Sequence, residues 1–148
     1  MELKKVTSIA DILERELEPT IKEWLRRVNL IPELTDVPIS DADRTGHLPK
    51  LYNELISRLR LGRDARPAIS AAATAHGKAR FTQGYSPSML INESRVFQVV
   101  TFGTLHRHQG ELYQNQVLLD VMLIADESDA QLMETVRSLM GTKAEAAA

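Results

Sequence analysis

A histidine, an arginine and a glutamate sit inside apolar stripes in the middle of this chain, and their types and spacing are the ones that could do chemistry. The stretch around them reads Ala75-His76-Gly77-Lys78-Ala79-Arg80-Phe81-Thr82-Gln83-Gly84-Tyr85-Ser86-Pro87. Before Gly84, residues Ile69, Ala72, Ala73, His76 and Arg80 recur at helical steps, and after it Leu90, Glu93, Phe97, Val100 and Thr104 do the same. Each set therefore shares one face of a helix. Gly84 takes positive φ without a Cβ clash, Ser86 is a good N-cap, and Pro87 suits the first helical position, where no N–H is missed. The pattern predicts two helices folded back on each other about Gly84 and Tyr85. At a rise of ~1.5 Å per residue, such a hairpin sets Arg80 level with Leu90, and His76 and Gly77 level with Glu93 and Ser94.

A lone charge is costly to bury, whereas a pair set side by side is tolerated. The polar cluster His76, Arg80, Gln83, Tyr85 and Glu93 therefore admits two uses. In one, Arg80 and Glu93 form a buried ion pair that locks the hairpin, with His76 satisfying a remaining carboxylate oxygen. In the other, Arg80 and His76 receive an anionic or carbonyl ligand near Tyr85. His76 and Glu93 could also serve as acid and base, but no activated nucleophile or oxyanion donor accompanies them. No catalytic residue is assigned, and the chain reads as non-enzymatic. The other histidines are His47, His106 and His108. The last two point to different faces of a helix and no His-Glu-x-x-His spacing occurs, so no metal site is expected. A haem would need a buried axial histidine facing a cavity. His76 is the candidate and already has a competing polar partner, so no cofactor is expected. Gly77, Gly84, Gly103 and Gly110 follow no strand and cradle no phosphate.

The elements that must position this cluster are helical. The 148 residues include no cysteine, and 18 basic side chains are interspersed with 20 acidic ones for a net charge of −2. Disulfides and thiolate metal sites are thereby excluded, no basic face offers itself to nucleic acid, and a cytoplasmic location is expected. Apolar runs fall far short of the ~20 residues a membrane span needs. One helix from Thr7 or Ser8 to Val28 keeps a single apolar phase through Pro19, which predicts a kink there and not a stop. A loop from Asn29 to Ser40 follows. A second helix from Ser40, disturbed at Gly46 and at His47-Leu48-Pro49, ends at Gly62 and the Arg63 to Pro67 run. The third starts at Pro67 and is rich in alanine, and Gly77 within it marks a close helix contact. The fourth, from Ser86, is apolar on more than one face and therefore central. In the last helix Leu118, Ala125, Leu132 and Leu139 recur every seven residues, with Val121 and Val136 beside them. The expectation is an all-α bundle of about five principal helices in one domain over residues 1–140, with 141–148 as a flexible tail.

The block His76-Gly77-x-x-Arg80-x-x-Gln83-Gly84-Tyr85-Ser86, followed by Leu90, Glu93 and Arg95, resembles the RsbRD N-terminal sensor-domain family. Trp24 and the His47-Leu48-Pro49 step extend the likeness over most of residues 7 to 140. The resemblance implies a fold related in outline to globins that lack haem. It also implies a role as the input domain of a bacterial signal-transduction protein, a histidine kinase or a stressosome co-antagonist, with the signal leaving through the C-terminal helix toward a downstream kinase or effector. An anion-binding sensor and a structural dimerisation module are the alternatives. Met122, Leu123, Ile124, Met133 and Met140 lie off the heptad stripe of the last helix, and one bundle core cannot cover both faces. A homodimer packed through the terminal helices is the resulting expectation.

Overall fold

The computed structural model describes residues 7–62, 64 and 68–148. Its regular elements are all helical: α1 (Ile9–Arg15), α2 (Leu17–Val28), α3 (Pro32–Thr35), α4 (Asp41–Thr45), α5 (Leu48–Leu61), α6 (Ala71–Thr82), α7 (Pro87–Arg107), a 3₁₀ turn (Gln109–Glu111) and α8 (Gln114–Ala147). The chain is thus an all-α bundle, with α1, α2, α5, α6, α7 and α8 gathered round one main core that includes Ile12, Leu13, Trp24, Val28, Tyr52, Leu55, Phe97 and Ile124.

Serine side chains start four of these helices. The Oγ atoms of Ser8, Ser40, Ser70 and Ser86 accept from the backbone N–H groups of Asp11, Asp43, Ala73 and Met89, each satisfying a donor that has no partner inside its helix. Gly84, at φ +90°, closes α6. There the N–H of Gly84 bonds the Phe81 carbonyl at 3.0 Å and that of Tyr85 bonds the Arg80 carbonyl at 2.9 Å, the double closure that a left-handed residue makes possible at a helix end.

The first helix is interrupted at Glu16, whose φ of −98° and ψ of 16° separate α1 from α2. Pro19 is the cause: it has no N–H for the Arg15 carbonyl, and its ring crowds that carbonyl. The Thr20 N–H then bonds the Glu16 carbonyl at 3.0 Å and the helix resumes. The apolar phase survives, with Ile9, Ile12, Leu13, Trp24 and Val28 all buried.

Several boundaries differ from the sequence expectation. Pro67, expected to open the third helix, lies outside the described residues, and α6 begins at Ala71 under its Ser70 cap. Ile69, expected on the buried stripe, precedes the helix and is exposed. The loop after Asn29 contains the single turn α3, and the second helix is divided at Gly46 into α4 and α5. Residues 141–147, expected as a flexible tail, continue α8 as helix, consistent with their alanine-rich sequence. At 34 residues, α8 is roughly 50 Å long at ~1.5 Å per residue.

The heptad of α8 is not its buried face. Leu123, Ile124, Glu127, Ser128, Gln131, Thr135 and Leu139 are buried, whereas Leu118 is exposed. Half of that inner face is polar because three of its polar groups find a partner on another helix, while the Thr135 hydroxyl donates to the Gln131 carbonyl of α8 itself. Glu127 pairs with Arg58 at 3.1 Å, Gln131 donates to the Leu51 carbonyl at 3.0 Å, and Ser128 accepts from Gln98 at 2.7 Å. Gly77 does mark a close contact, but with α8: a Cβ there would lie 2.3 Å from the Thr135 carbonyl oxygen and 2.7 Å from the Ser138 Cβ.

A saturated ion pair beside a small cavity

Arg80, on the last turn of α6, is only 1% exposed, and Glu93, on α7, is equally enclosed at 4%. The hairpin about Gly84 sets them face to face in the manner expected. Arg80 Nε donates to Glu93 Oε1 at 3.0 Å, and Nη2 donates to Oε2 at 2.9 Å. Nη1 donates to Gln83 Oε1 at 2.7 Å and to the Asp43 carbonyl at 3.1 Å, while Nη2 also donates to the Arg44 carbonyl. A guanidinium has five N–H donors, and here all five are engaged. The Asp43 and Arg44 carbonyls belong to the last turn of α4, which has no partner of its own for them, so Arg80 also caps that short helix. Tyr85 lies beneath, its ring centroid 4.6 Å from the Arg80 guanidinium carbon, within the range of a cation–π contact.

Of the predicted cluster, Arg80, Gln83, Tyr85 and Glu93 meet. His76 stands apart from the carboxylate: among the described residues no hydrogen bond joins it to Glu93, contrary to the expected satisfaction of the second oxygen. Its ring instead lies edge to face with His47, centroids 5.6 Å apart. Two groups that sequence reasoning missed complete the site. Arg44, within an acidic turn that reads as a solvated first turn of helix, is buried. It donates to the Leu34 carbonyl at 2.8 Å, the Val37 carbonyl at 2.9 Å and the Tyr85 hydroxyl at 3.2 Å. Trp24 was expected in the core and is there; its indole N–H also donates to the Glu93 backbone carbonyl at 3.2 Å. No periodicity signals these bonds, because each depends on an oxygen from outside the residue's own helix.

Beside the pair lies a cavity of about 50 Å³ whose walls are mostly apolar, with Trp24, Phe97 and four leucines, and carry His76, Glu93, Gln131 and Thr135 among their polar groups. Arg80 is not among its lining residues. Every guanidinium donor of Arg80 is already engaged within the protein, so none is left over for a ligand. Among the described residues no group of three or more histidine, aspartate or glutamate side chains could hold a metal ion.

Burial dominates the electrostatics. It pushes the Glu93 carboxyl up to about 7, against the opposing pull of Arg80 and, more weakly, Arg44. It pushes the His76 imidazole down to about 3, reinforced by Arg80 and His47. The Tyr85 hydroxyl is raised, again first by burial.

These opposite shifts predict a pH profile. As pH falls from the ordinary histidine value of 6.5 toward 3, the unfolded chain takes up a proton at His76 that the folded chain refuses, so stability falls by up to ~1.4 kcal/mol per pH unit. As pH falls from 7 toward 4.5, the folded chain instead takes up a proton at Glu93 ahead of the unfolded chain, and stability rises. The two contributions cancel where they overlap, and below 4.5 only the histidine loss remains. Urea midpoints against pH should therefore fall less steeply in His76→Gln than in the parent below that point. Glu93→Gln should bring the onset of acid loss to higher pH. Equal slopes for the parent and His76→Gln would show that the imidazole is not held neutral.

No family model, curated protein or solved structure matches the chain.

Proposed function

We propose that this chain is a non-enzymatic input domain of a bacterial signal-transduction protein, most simply a cytoplasmic histidine kinase, which passes its signal through α8. The observation that carries this reading is the construction of α8. Gln131 and Thr135 form part of the wall of the central cavity, and the same helix continues to Ala147 with no buried residue after Leu139. A change in what fills the cavity bears directly on a rod that runs out of the core. The resemblance of the His76 to Ser86 block to RsbRD sensor domains supports the same role. Arg80 and Glu93 then act as a structural lock that keeps α4, α6 and α7 together while α8 responds. Among the described residues no helix is long and apolar enough to cross a membrane.

The working unit in this reading is a homodimer. Leu118, Met122, Met133 and Met140 are exposed, and at about 100° per residue they fall within one ~60° stripe of α8. Such a stripe suits the same stripe of a second copy. The expected heptad straddles the edge between this stripe and the buried face, which is why Leu139 is buried and Leu118 is not.

The test is a hybrid in which residue 148 is joined, in helical register, to the transmitter region of a histidine kinase. Autophosphorylation should rise and fall as single residues are inserted at the junction, because each insertion rotates the output by about 100°. The hybrid's parent domain should sediment at about twice 16.6 kDa at micromolar concentration, and Met133→Glu should reduce that mass. Activity indifferent to the phase of the junction would sink the output role, and a monomeric mass would sink the dimer.

A further inference from the structure

The cavity beside the Arg80 and Glu93 pair contains polar groups with nothing to bond. Neither ring nitrogen of His76 has a hydrogen-bond partner among the described residues, although the side chain is nine-tenths buried. Gln131 donates its amide to the Leu51 carbonyl and to Glu127, and its carboxamide oxygen accepts nothing among the described residues. A neutral imidazole presents one N–H donor and one bare nitrogen acceptor, and the Thr45 and Ser94 hydroxyls, which also line the cavity without a side-chain partner among the described residues, can each donate and accept, so the walls offer both kinds of group. Buried polar groups are ordinarily satisfied, and those that are not call for a partner that the protein itself does not supply. Trp24 and Phe97 add aromatic surface to the same walls.

We infer that this cavity is a binding site for a small uncharged molecule that both donates and accepts hydrogen bonds, of the amide class. Charge is excluded from both sides. An anion would lie against the Glu93 carboxylate and find no free Arg80 donor, and a cation would be stripped of water beside Arg80 with the one adjacent carboxylate already paired. Size follows from the volume. At about 50 Å³ the space exceeds that needed by a single water and is about a third of the ~150 Å³ in which an engineered apolar cavity takes up benzene. By that yardstick, six non-hydrogen atoms in three times the space, about two to three fit, and formamide is the primary amide of that size. Its NH₂ group can donate to the Gln131 oxygen and its carbonyl can accept from one His76 ring N–H; the two ring nitrogens diverge, so a single small molecule engages one of them. The inference gives a chemical class to the input site of the function proposed above, and rests on that reading only for the consequence of binding.

Formamide is the probe, titrated into the full chain and followed by the Trp24 indole and His76 imidazole resonances, with formate as the charged twin of the same shape. Formamide should give saturable shifts at both groups and formate none. His76→Phe keeps a ring of similar bulk without its nitrogens and should weaken binding by at least about tenfold, the worth of one hydrogen bond of ~1.4 kcal/mol. Gln131→Met should do the same, and carries the test alone if the His76 variant does not fold. Absence of a saturable shift, with only a long-lived bound water detected, would overturn the inference. Equal binding of formate, or unchanged affinity in the folded variants, would overturn it as well. Amide hydrogen exchange along α8 separates the two proposals: saturable binding that leaves α8 unchanged refutes the signalling role and keeps the site.

Discussion

Replacing Arg80 by Leu above pH 7 is expected to destabilise the fold by about 3 to 5 kcal/mol, the cost of leaving a buried carboxylate without its counter-charge. Glu93→Leu should fall in the same range, since it strands the guanidinium. The two losses should not add. Arg80 Nε and Nη2 hold both Glu93 oxygens at 3.0 and 2.9 Å, so in the double variant neither charge is left uncompensated. The double should therefore lose less than the sum of the singles by a coupling of about 1 to 3 kcal/mol. Arg80→Leu should also be the more damaging of the two, because it releases the Asp43 and Arg44 carbonyls at the end of α4 as well. Urea denaturation of the four proteins measures this, with the midpoint as readout and the slope as a check that the transition stays two-state. Additive losses would show that the pair is not an energetic unit. Equal singles would show that the carbonyls of α4 find other donors.

The second large effect comes from adding one methyl group. Gly77→Ala should destabilise by the upper end of the ~1 to 3 kcal/mol range of overpacked cores, or more. The new Cβ would meet backbone: the Thr135 carbonyl oxygen at 2.3 Å and the Leu139 nitrogen at 3.0 Å. Backbone in the middle of two helices cannot move aside as the end of a flexible side chain can, so α6 and α8 must separate along their contact. Helix propensity works the other way, favouring alanine by about 1 kcal/mol. That gain appears alone at Gly141, which lies in the same α8 and where nothing stands within 4 Å of an added Cβ. Gly141→Ala should therefore stabilise by a few tenths to about 1 kcal/mol. The same substitution is thus expected to have opposite signs at two helical positions, and thermal midpoints of the two variants decide it. A neutral or stabilised Gly77→Ala would mean that α6 and α8 do not approach as closely as described. The consequence would reach the cavity, because Gln131 and Thr135 of its wall belong to the stretch of α8 that would be displaced.

By itself the sequence determined the helices and the turn that makes the site. The serine caps, Gly84 between two apolar phases, and the persistence of the first phase through Pro19 are all local, governed by residues within one or two turns of each other. The meeting of Arg80 with Glu93 was legible for the same reason: the partners are thirteen residues apart across a tight turn, so two helical registers and a hinge suffice to align them. Tertiary structure alone decided the rest. The carbonyls that complete Arg80 come from residues 37 and 36 positions away, and the amide of Gln131 finds the Leu51 carbonyl 80 positions away. Arg44 is buried because the Leu34 and Val37 carbonyls, 10 and 7 positions away across irregular chain, and the Tyr85 hydroxyl, 41 positions away, converge on it, and the inner face of α8 is half polar because α5 and α7 bring partners to it. Hydrophobic periodicity cannot report such residues, since it registers the apolar side of one helix. A polar side chain becomes a core residue only when another element arrives with the matching donor or acceptor. The cavity is the limiting case: none arrives for His76, and the space it faces exists only once Trp24, Glu93, Phe97, Gln131 and Thr135 have been brought around it from three other helices.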